Sequence, residues 1–252
     1  MFHVKPSTAL LRAIELLRLQ SAEWGIELES AQLSQLSAYA DLLVNYRRAN
    51  VIGSRDRDNI VLEHILDSLS CLLVKDLYRV HAVIDIGTGG GLPGIPLSIA
   101  RPELHVTLLE ATLKKALFLK DARETLTLHN TEVLQARAED LGVRTAYREA
   151  FELATTRALA LLPVILEYCA PLLKPGGTVL AMKGRLPGDE LTQGIRASRK
   201  LGMVLREVKK VKHNTQLPQK ERSLVVFDKV APITKAFPRR AGLAKKRPLG
   251  AH

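Results

Sequence analysis

The stretch VIDIGTGGGLPGIPL, residues 83–97, decides the fold class of this 252-residue chain. Its first half is a short apolar run, which is typical of the end of a buried strand. Glycines then cluster at Gly87, Gly89, Gly90 and Gly91. Glycine tolerates positive φ and leaves room for a ligand beside the backbone, and Pro93 suits the first turn of a helix. A strand, a glycine-rich turn and a helix in this order predict a site for a nucleotide-like ligand at the carboxyl end of the strand.

Strands and helices alternate from residue 80 onward. The predicted strands cover residues 80–86, 105–110, 131–136, 151–156, 178–183, 203–211 and 222–229, and the predicted helices between them cover 93–100, 113–126, 139–147, 159–173 and 187–200. Strands separated by helices of this length favour a mainly parallel sheet with right-handed crossovers. The last two strands follow one another without a helix, so we expect an antiparallel hairpin at the sheet edge. The predicted class is α/β with a Rossmann-like seven-stranded sheet.

Three helices are predicted before the first strand, over residues 7–20, 30–49 and 59–74, because apolar residues recur there at helical spacing. Ser7 or Thr8 is the expected N-cap of the first helix and Ser30 that of the second. The final stretch FPRRAGLAKKRPLGAH, rich in proline and arginine, is expected to be extended. We therefore predict an N-terminal helical segment (1–79) packed on the main domain, a ligand-binding domain (80–230) and a basic tail (231–252).

Composition sets broad limits on the class of protein. Apolar residues make up 46% of the chain, enough for a sizeable core, and no internal repeat is visible. The two cysteines, Cys71 and Cys169, lie far apart in apolar stretches, which argues against a disulfide framework and favours a reducing, cytoplasmic location. Charges among the first leucines argue against a signal peptide, and no apolar run approaches the roughly 18 residues of a membrane span. We expect no membrane contact, no metal and a monomer.

Positive charge is concentrated in the last quarter of the chain. Residues 196–252 hold 16 Lys and Arg against 3 acids, a net charge of +13, whereas residues 1–195 hold 21 against 23, a net charge of −2. Such segregation is typical of a surface that binds a polyanion such as RNA. The alternative is a solvated basic tail without a partner.

The glycine loop alone does not identify its ligand. Gly89, Gly91 and Gly94 match the G-x-G-x-x-G dinucleotide fingerprint, which is weak evidence by itself. Asp85 would repel a pyrophosphate, but its carboxylate suits the α-ammonium group of S-adenosylmethionine. A strand hairpin after the fifth βα unit is also typical of seven-stranded methyltransferases. Glu110, about 20 residues further on, suits a ribose diol in either class of enzyme.

The motif RAED, residues 137–140, follows the third strand, where an adenine ring would lie. It fits equally well a helix that begins with favourably placed acids.

Several longer motifs carry a resemblance to one family. They are HILDSL (64–69), VIDIGTGGGLPGIPLSIARPE (83–103), TTRALA (155–160), AMKG (181–184) and the closing FPRRAG…KKRPL. Together they resemble the bacterial small-subunit ribosomal RNA methyltransferase G family, also called glucose-inhibited division protein B, over nearly the whole chain. The resemblance implies methyl transfer from S-adenosylmethionine to N7 of one guanine in the decoding region of 16S rRNA (guanine 527 in rRNA numbering), with 16S rRNA or the small ribosomal subunit as partner.

The resemblance also implies roles for individual positions. Gly87 and Leu92, with Gly89 and Asp85 beside them, would line the methionine end of the cofactor. Further contacts would come from Glu110, Ala111 and Thr112 at the ribose, Ala138 and Glu139 at the adenine, and Arg157 beside the site. Two positions depart from the family pattern. Glu110 stands where Asp or a related polar residue is usual, and Ser223 stands where His is usual, which weakens any RNA-contacting role for Ser223.

The expected chemistry requires few catalytic groups. Guanine N7 carries a lone pair and attacks without losing a proton, so we expect no general base and catalysis mainly by alignment. Arg157 is the one polar candidate at the reaction centre, where it would orient the cofactor carboxylate or guanine O6. The alternative is that Arg157 forms a structural ion pair. Candidates for RNA contact are His64, Lys183, Arg222, Arg239 and Arg240. The competing hypotheses are an NAD(P)-dependent oxidoreductase, a non-enzymatic RNA-binding protein and, with less support, a small-molecule methyltransferase.

Overall fold

A computed structural model describes residues 8–75, 77–213, 217 and 220–250. Its strands are β1 (Ala82–Ile86), β2 (His105–Glu110), β3 (Thr131–Gln135), β4 (Phe151–Arg157), β5 (Leu173–Lys183), β6 (Met203–Lys210) and β7 (Ser223–Lys229). They form one sheet in the order β3-β2-β1-β4-β5-β7-β6. This confirms the seven predicted strands and the α/β class.

Strand direction explains where a ligand site belongs. Strands β1 to β5 pair in parallel, whereas β7 runs antiparallel between β5 and β6. The predicted hairpin at the sheet edge is therefore confirmed, with β6 outermost. From β1 the chain continues through β2 and β3 towards one edge of the sheet. From β4, the neighbour of β1, it continues through β5 towards the opposite edge. In open α/β sheets a ligand binds at such a switch point, beyond the carboxyl ends of the strands.

The helices are α1 (Thr8–Glu23), α2 (Ser30–Asn45), α3 (Arg57–Asn59), α4 (Leu66–Leu69), α5 (Gly94–Ala100), α6 (Leu113–Thr125), α7 (Ala138–Gly142), α8 (Leu162–Cys169), α9 (Gly188–Lys200) and α10 (Leu243–Lys246). A π-helix, Ile60–Ile65, lies between α3 and α4, and 3₁₀ turns cover Ser70–Leu73 and Leu77–Arg79. The third predicted helix, 59–74, is thus not uniform. Within the described part of the chain, no helix combines the length and apolarity needed to cross a bilayer.

The helices before β1 share the core of the sheet. Leu17, Leu36 and Leu43 have no exposed surface and belong to one apolar cluster with Leu97 of α5 and Phe118 of α6. Burial of such side chains is a main source of folding free energy. The division into an N-terminal helical segment (1–79), a main domain and a tail, with boundaries at residues 80 and 231, stays a prediction.

Several predicted boundaries were wrong. The N-cap of α2 is Glu29 rather than Ser30, and its N–H donates to the Gln32 side chain at 2.8 Å. Helix α2 ends at Asn45 instead of residue 49. Helix α7 ends at Gly142, and α8 covers less than the predicted 159–173. Strand β5 begins five residues before residue 178 because Leu173 already pairs with Phe151 ahead of an irregularity in the ladder.

The tail is folded rather than extended. Its short helix α10 begins after Gly242, at φ +81°, and places Ala244 in the core. The Arg239 guanidinium donates from Nε to Glu167 Oε1 at 2.7 Å and from Nη2 to Glu167 Oε2 at 2.5 Å. Because Glu167 is only 1% exposed, this bidentate pair anchors the tail to α8.

The two neighbouring arginines of the tail give a matched test of this anchor. We expect Arg239→Gln to lower the free energy of unfolding by about 3 kcal/mol, because it leaves a buried carboxylate without its partner. Arg240→Gln, at an exposed position, is expected to change it by less than about 0.5 kcal/mol. Urea unfolding of both variants measures the difference, and equal stabilities would contradict an anchoring role for Arg239.

Candidate functional site

The glycine loop begins directly at the end of β1 and has a backbone that favours glycine. Gly87 has φ +69° and donates from its N–H to the Leu109 carbonyl at 2.8 Å. A Cβ on Gly87 would lie 2.5 Å from Cδ1 of Leu159. Gly89, at φ +60°, and Gly91, at φ +96°, also adopt the left-handed conformation that other residues rarely take. The loop therefore presents bare backbone at the switch point between β1 and β4.

Asp85 holds this loop from beneath. Its Oδ2 accepts hydrogen bonds from Thr88 Oγ1 at 2.5 Å and from the Gly94 N–H at 2.8 Å, and its Oδ1 accepts one from Thr155 Oγ1 at 3.1 Å. The carboxylate is fully buried, and this burial raises the pKa of Asp85 to about 6. The structure thus gives Asp85 an internal role. Its contact with the methionine ammonium stays a prediction.

Glu110, at the end of β2, holds the loop from the other side. Its Oε2 accepts from the Gly89 N–H at 3.0 Å, and its Oε1 accepts from the Thr112 N–H at 2.8 Å. The side chain is 7% exposed. Glu110 thus joins β2 to the glycine loop at the place where a ribose is expected, while Ala111 and Thr112 lie exposed beside it. The ribose contacts of these three residues stay predictions.

A small cavity of about 100 Å³ lies next to the loop, at the carboxyl ends of the strands. Its walls are mainly apolar, and Gly87, Ala138, Glu139, Tyr168 and Lys245 contribute to them. Glu139 is 7% exposed, and its Oε1 accepts a hydrogen bond from the Gly242 N–H of the tail at 2.9 Å. An apolar slot with one carboxylate suits the flat faces and the amino group of an adenine. The structure therefore brings together most of the residues predicted for the cofactor.

The tail at this cavity was missed by sequence reasoning. Lys245 forms part of the wall, and Gly242 reaches Glu139, although the two segments are more than a hundred positions apart. Gly242, the last glycine before the basic stretch KKR, was a signal for a turn there.

Arg157, at the end of β4, connects the sheet to the π-helix. Its Nε lies 3.2 Å from Asp67 Oδ2, and its Nη2 donates to the Glu63 carbonyl at 3.2 Å. The same nitrogen lies 2.6 Å from Nδ1 of His64. Burial and the neighbouring guanidinium lower the pKa of His64 to about 4, so the imidazole is neutral at pH 7. The structural ion pair of Arg157 is thus present, and its contact with cofactor or guanine stays a prediction.

The other candidates for RNA contact differ in availability. Lys183 is paired with Glu190 at 2.7 Å, Arg222 Nε lies 3.3 Å from Asp67 Oδ1, and Arg239 is held by Glu167. Arg240 is exposed. Neutral His64 offers no charge to a phosphate. All five RNA contacts stay predictions, and the buried Asp67 between two arginines is a feature that the sequence did not reveal.

The raised pKa of Asp85 predicts a specific pH dependence. The folded value of about 6 exceeds the ordinary 3.8, so the folded chain binds this proton more tightly than the unfolded chain does. Ionisation of Asp85 therefore lowers stability as the pH rises through this window. We expect the free energy of unfolding of the wild type, minus that of Asp85→Asn, to fall by about 2.5 kcal/mol from about pH 4 to about pH 7.

Urea unfolding of the wild type and of Asp85→Asn across this pH range measures the difference between their free energies of unfolding. The contributions of other titrating groups cancel in this difference. A difference that does not change with pH would contradict the raised pKa.

Comparisons with known proteins point to a family of methyltransferases, in agreement with a ligand site at the glycine loop. The family model described as rRNA small subunit methyltransferase G matches residues 32–224. A protein named Ribosomal RNA small subunit methyltransferase G from Rubrobacter xylanophilus is 46% identical over 249 residues, which cover 98% of this chain and 94% of that protein. Its namesake from Moorella thermoacetica is 42% identical over 235 residues, which cover 93% of this chain and 97% of that protein.

Among solved structures, mitomycin 7-O-methyltransferase MmcR matches with a TM-score of 0.52 at 15% identity, over 66% of this chain and 54% of that chain. Identity this low shows a shared fold alone. The family model and the two named relatives cover most or nearly all of the sequence, and on that evidence the chain belongs to the rRNA small subunit methyltransferase G family.

Proposed function

We propose that this chain transfers the methyl group of S-adenosylmethionine to N7 of one guanine in the RNA of the small ribosomal subunit. Family membership across residues 32–224, together with a glycine loop at the switch point of the sheet, carries the proposal. Membership of a methyltransferase family argues against an NAD(P)-dependent oxidoreductase. Such an enzyme acts where ribosomes are assembled, so we also propose that this chain acts in the cytoplasm.

The residues at the switch point fit the cofactor. A Cβ at Gly87 would lie 2.5 Å from Cδ1 of Leu159, so this position accepts no larger side chain while Leu159 packs against it. The methionine end would lie along Gly87 to Leu92, the ribose near Glu110, and the adenine in the slot beside Glu139. S-adenosylmethionine supplies an electrophilic methyl group on a sulfonium centre.

The chain's contribution to the chemistry is alignment. Guanine N7 presents a lone pair on the major-groove edge of the base and needs no deprotonation. The carboxylates of Asp85, Glu110 and Glu139 accept hydrogen bonds from within the protein, which suits binding and shaping of the site rather than proton transfer. Correct positioning of two reactants accounts for a large part of the rate in such a transfer.

The RNA is bound mainly through charge. The net charge of +13 over residues 196–252 makes this part of the chain complementary to phosphates. Each phosphate neutralised by Lys or Arg releases counterions, so affinity should fall steeply as the salt concentration rises.

A methyl-transfer assay tests the proposal directly. Small subunits that lack their native methylations, and free 16S rRNA alongside, are incubated with the protein and S-adenosylmethionine carrying a labelled methyl group. We expect label at one guanine, released as 7-methylguanosine. Gly87→Asp should reduce transfer by about 100-fold or more, because it places a side chain and a charge in the cofactor space.

Gly176→Asp is the matched control. Gly176 also has a positive φ, +85°, but a Cβ there meets nothing within 4 Å. The control should therefore carry the same backbone strain and retain activity. Tight, salt-sensitive RNA binding without any label in either RNA would instead support the non-enzymatic RNA-binding hypothesis.

A further inference from the structure

A groove lies between the end of helix α1 and the end of strand β6, away from the glycine loop. It measures about 470 Å³, within the usual range of about 300–1,000 Å³ for ligand sites. The end of α1 contributes Glu23 and Trp24, and the end of β6 contributes Lys209, Lys210, Lys212 and His213. We refer to it as the α1–β6 groove.

Two aromatic rings form part of the wall. The rings of Trp24 and His213 meet edge to face, with centroids 5.4 Å apart and planes inclined by 62°. Burial lowers the pKa of His213, so its imidazole is neutral at pH 7. The indole Nε1 of Trp24 donates to the Lys212 carbonyl at 3.0 Å. Because this N–H is the only polar group of the side chain and already has a partner, the half-buried ring offers a ligand its apolar surface.

The backbone around Trp24 is fixed by the turn that ends α1. Gly25 adopts the left-handed conformation, at φ +75°, and the Ile26 N–H donates to the Ser21 carbonyl at 2.8 Å. This pattern satisfies carbonyl oxygens at the end of a helix. The ring is therefore held in place before a ligand arrives, which reduces the entropy cost of binding.

Positive charge surrounds the aromatic pair. Three ammonium groups, those of Lys209, Lys210 and Lys212, face one carboxylate, that of Glu23, among the described residues of the wall. Lys209 Nζ donates to the Leu73 carbonyl at 2.8 Å. Lys210 and Lys212 are exposed, and neither is paired with a carboxylate in the part of the chain that the structure describes. The groove thus has a net positive charge and two ammonium groups that are available to an anion.

The groove lies at the same edge of the sheet as the glycine loop. Lys210 pairs with Ser223 of β7, and Ser223 pairs with Lys183 at the carboxyl end of β5. Neighbouring strands are about 4.8 Å apart, so the Cα atoms of Lys210 and Lys183 are separated by about 10 Å. An RNA that reaches the carboxyl ends of the parallel strands can therefore extend over the groove with its neighbouring nucleotides.

Resting on the proposed function, we propose that the α1–β6 groove binds an unpaired nucleotide of the RNA that flanks the target guanine. Its base stacks on Trp24, and its phosphates are bound by Lys210 and Lys212. A groove that combines an aromatic platform with cations is typical of proteins that bind single-stranded nucleic acid. An acidic peptide would use the lysines but has no base to stack on the ring, which favours RNA. The contact adds affinity for the substrate and takes no part in the methyl transfer.

The fluorescence of Trp24 reports on the groove directly, because Trp24 is the only tryptophan of the chain. The full-length protein is titrated with a short single-stranded RNA, with the same RNA annealed to its complement, and with polyglutamate. The anisotropy of labelled RNA measures binding independently. We expect saturable quenching by the single strand, a weaker response to the duplex and none to polyglutamate.

Substitutions separate the ring from the charges. Trp24→Leu removes the aromatic platform and should weaken single-strand binding by about 5- to 100-fold, whereas Trp24→Phe retains a ring and should lose less. Lys210→Gln and Lys212→Gln should each reduce the slope of log affinity against log salt by about 0.7. The matched control is Lys200→Gln, an exposed lysine at the end of α9, near the opposite end of β6, which should leave affinity and slope unchanged. Calorimetry with S-adenosylmethionine checks that each variant retains a folded cofactor site.

The outcomes distinguish this inference from the proposed function. Unchanged Trp24 fluorescence at RNA concentrations that saturate the anisotropy would overturn the inference, as would wild-type affinity in Trp24→Leu. Quenching by polyglutamate as strong as that by RNA would assign the groove to an acidic peptide and overturn it too. Methyl transfer to small subunits is measured separately on the wild type and Lys200→Gln. Its absence, with quenching by RNA intact, would overturn the proposed function alone.

Discussion

A buried carboxylate beneath the glycine loop is the constraint on which the site depends. Asp85 joins the end of β1 to Thr155 of β4 and to the Gly94 N–H at the start of α5. Removing a carboxylate from water is unfavourable, and three hydrogen bonds compensate for it here. Because those donors come from three different elements, the loop is fixed relative to both strands of the switch point. The backbone of the glycine loop is therefore fixed by a group that lies beneath it and has no exposed surface.

A second polar connection fixes the helical segment that precedes the sheet. Arg157 leaves the end of β4 and donates to carbonyl oxygens of the π-helix, including that of Glu63. A π-helix places its carbonyls differently from an α-helix, and such segments occur frequently at functional sites. Tyr39 of α2 makes a further link, since its hydroxyl donates to the Gly90 carbonyl at 2.5 Å. The N-terminal helices thus contact the glycine loop and the end of β4 directly.

The sheet was predictable from the sequence because its signals are local. Apolar runs bounded by glycine and charged residues identified the strands, and the glycine spacing of residues 87–94 identified the ligand edge. The π-helix was not predictable, because its carbonyls meet a guanidinium 93 or more positions away. The folded tail was missed for the same reason, since Arg239 gains its partner, Glu167, from α8. Local composition predicted an extended basic stretch, and only tertiary contact distinguishes an arginine that anchors the tail from one that stays exposed.

The distribution of acids and bases at the site matches the chemistry of a lone-pair nucleophile. An enzyme that had to remove a proton would need a carboxylate or imidazole free to accept it. At this site Asp85 and Glu110 are occupied by backbone and side-chain donors, and His64 faces Arg157. None of these three side chains is free to accept a proton, which fits a nucleophile that reacts through a lone pair.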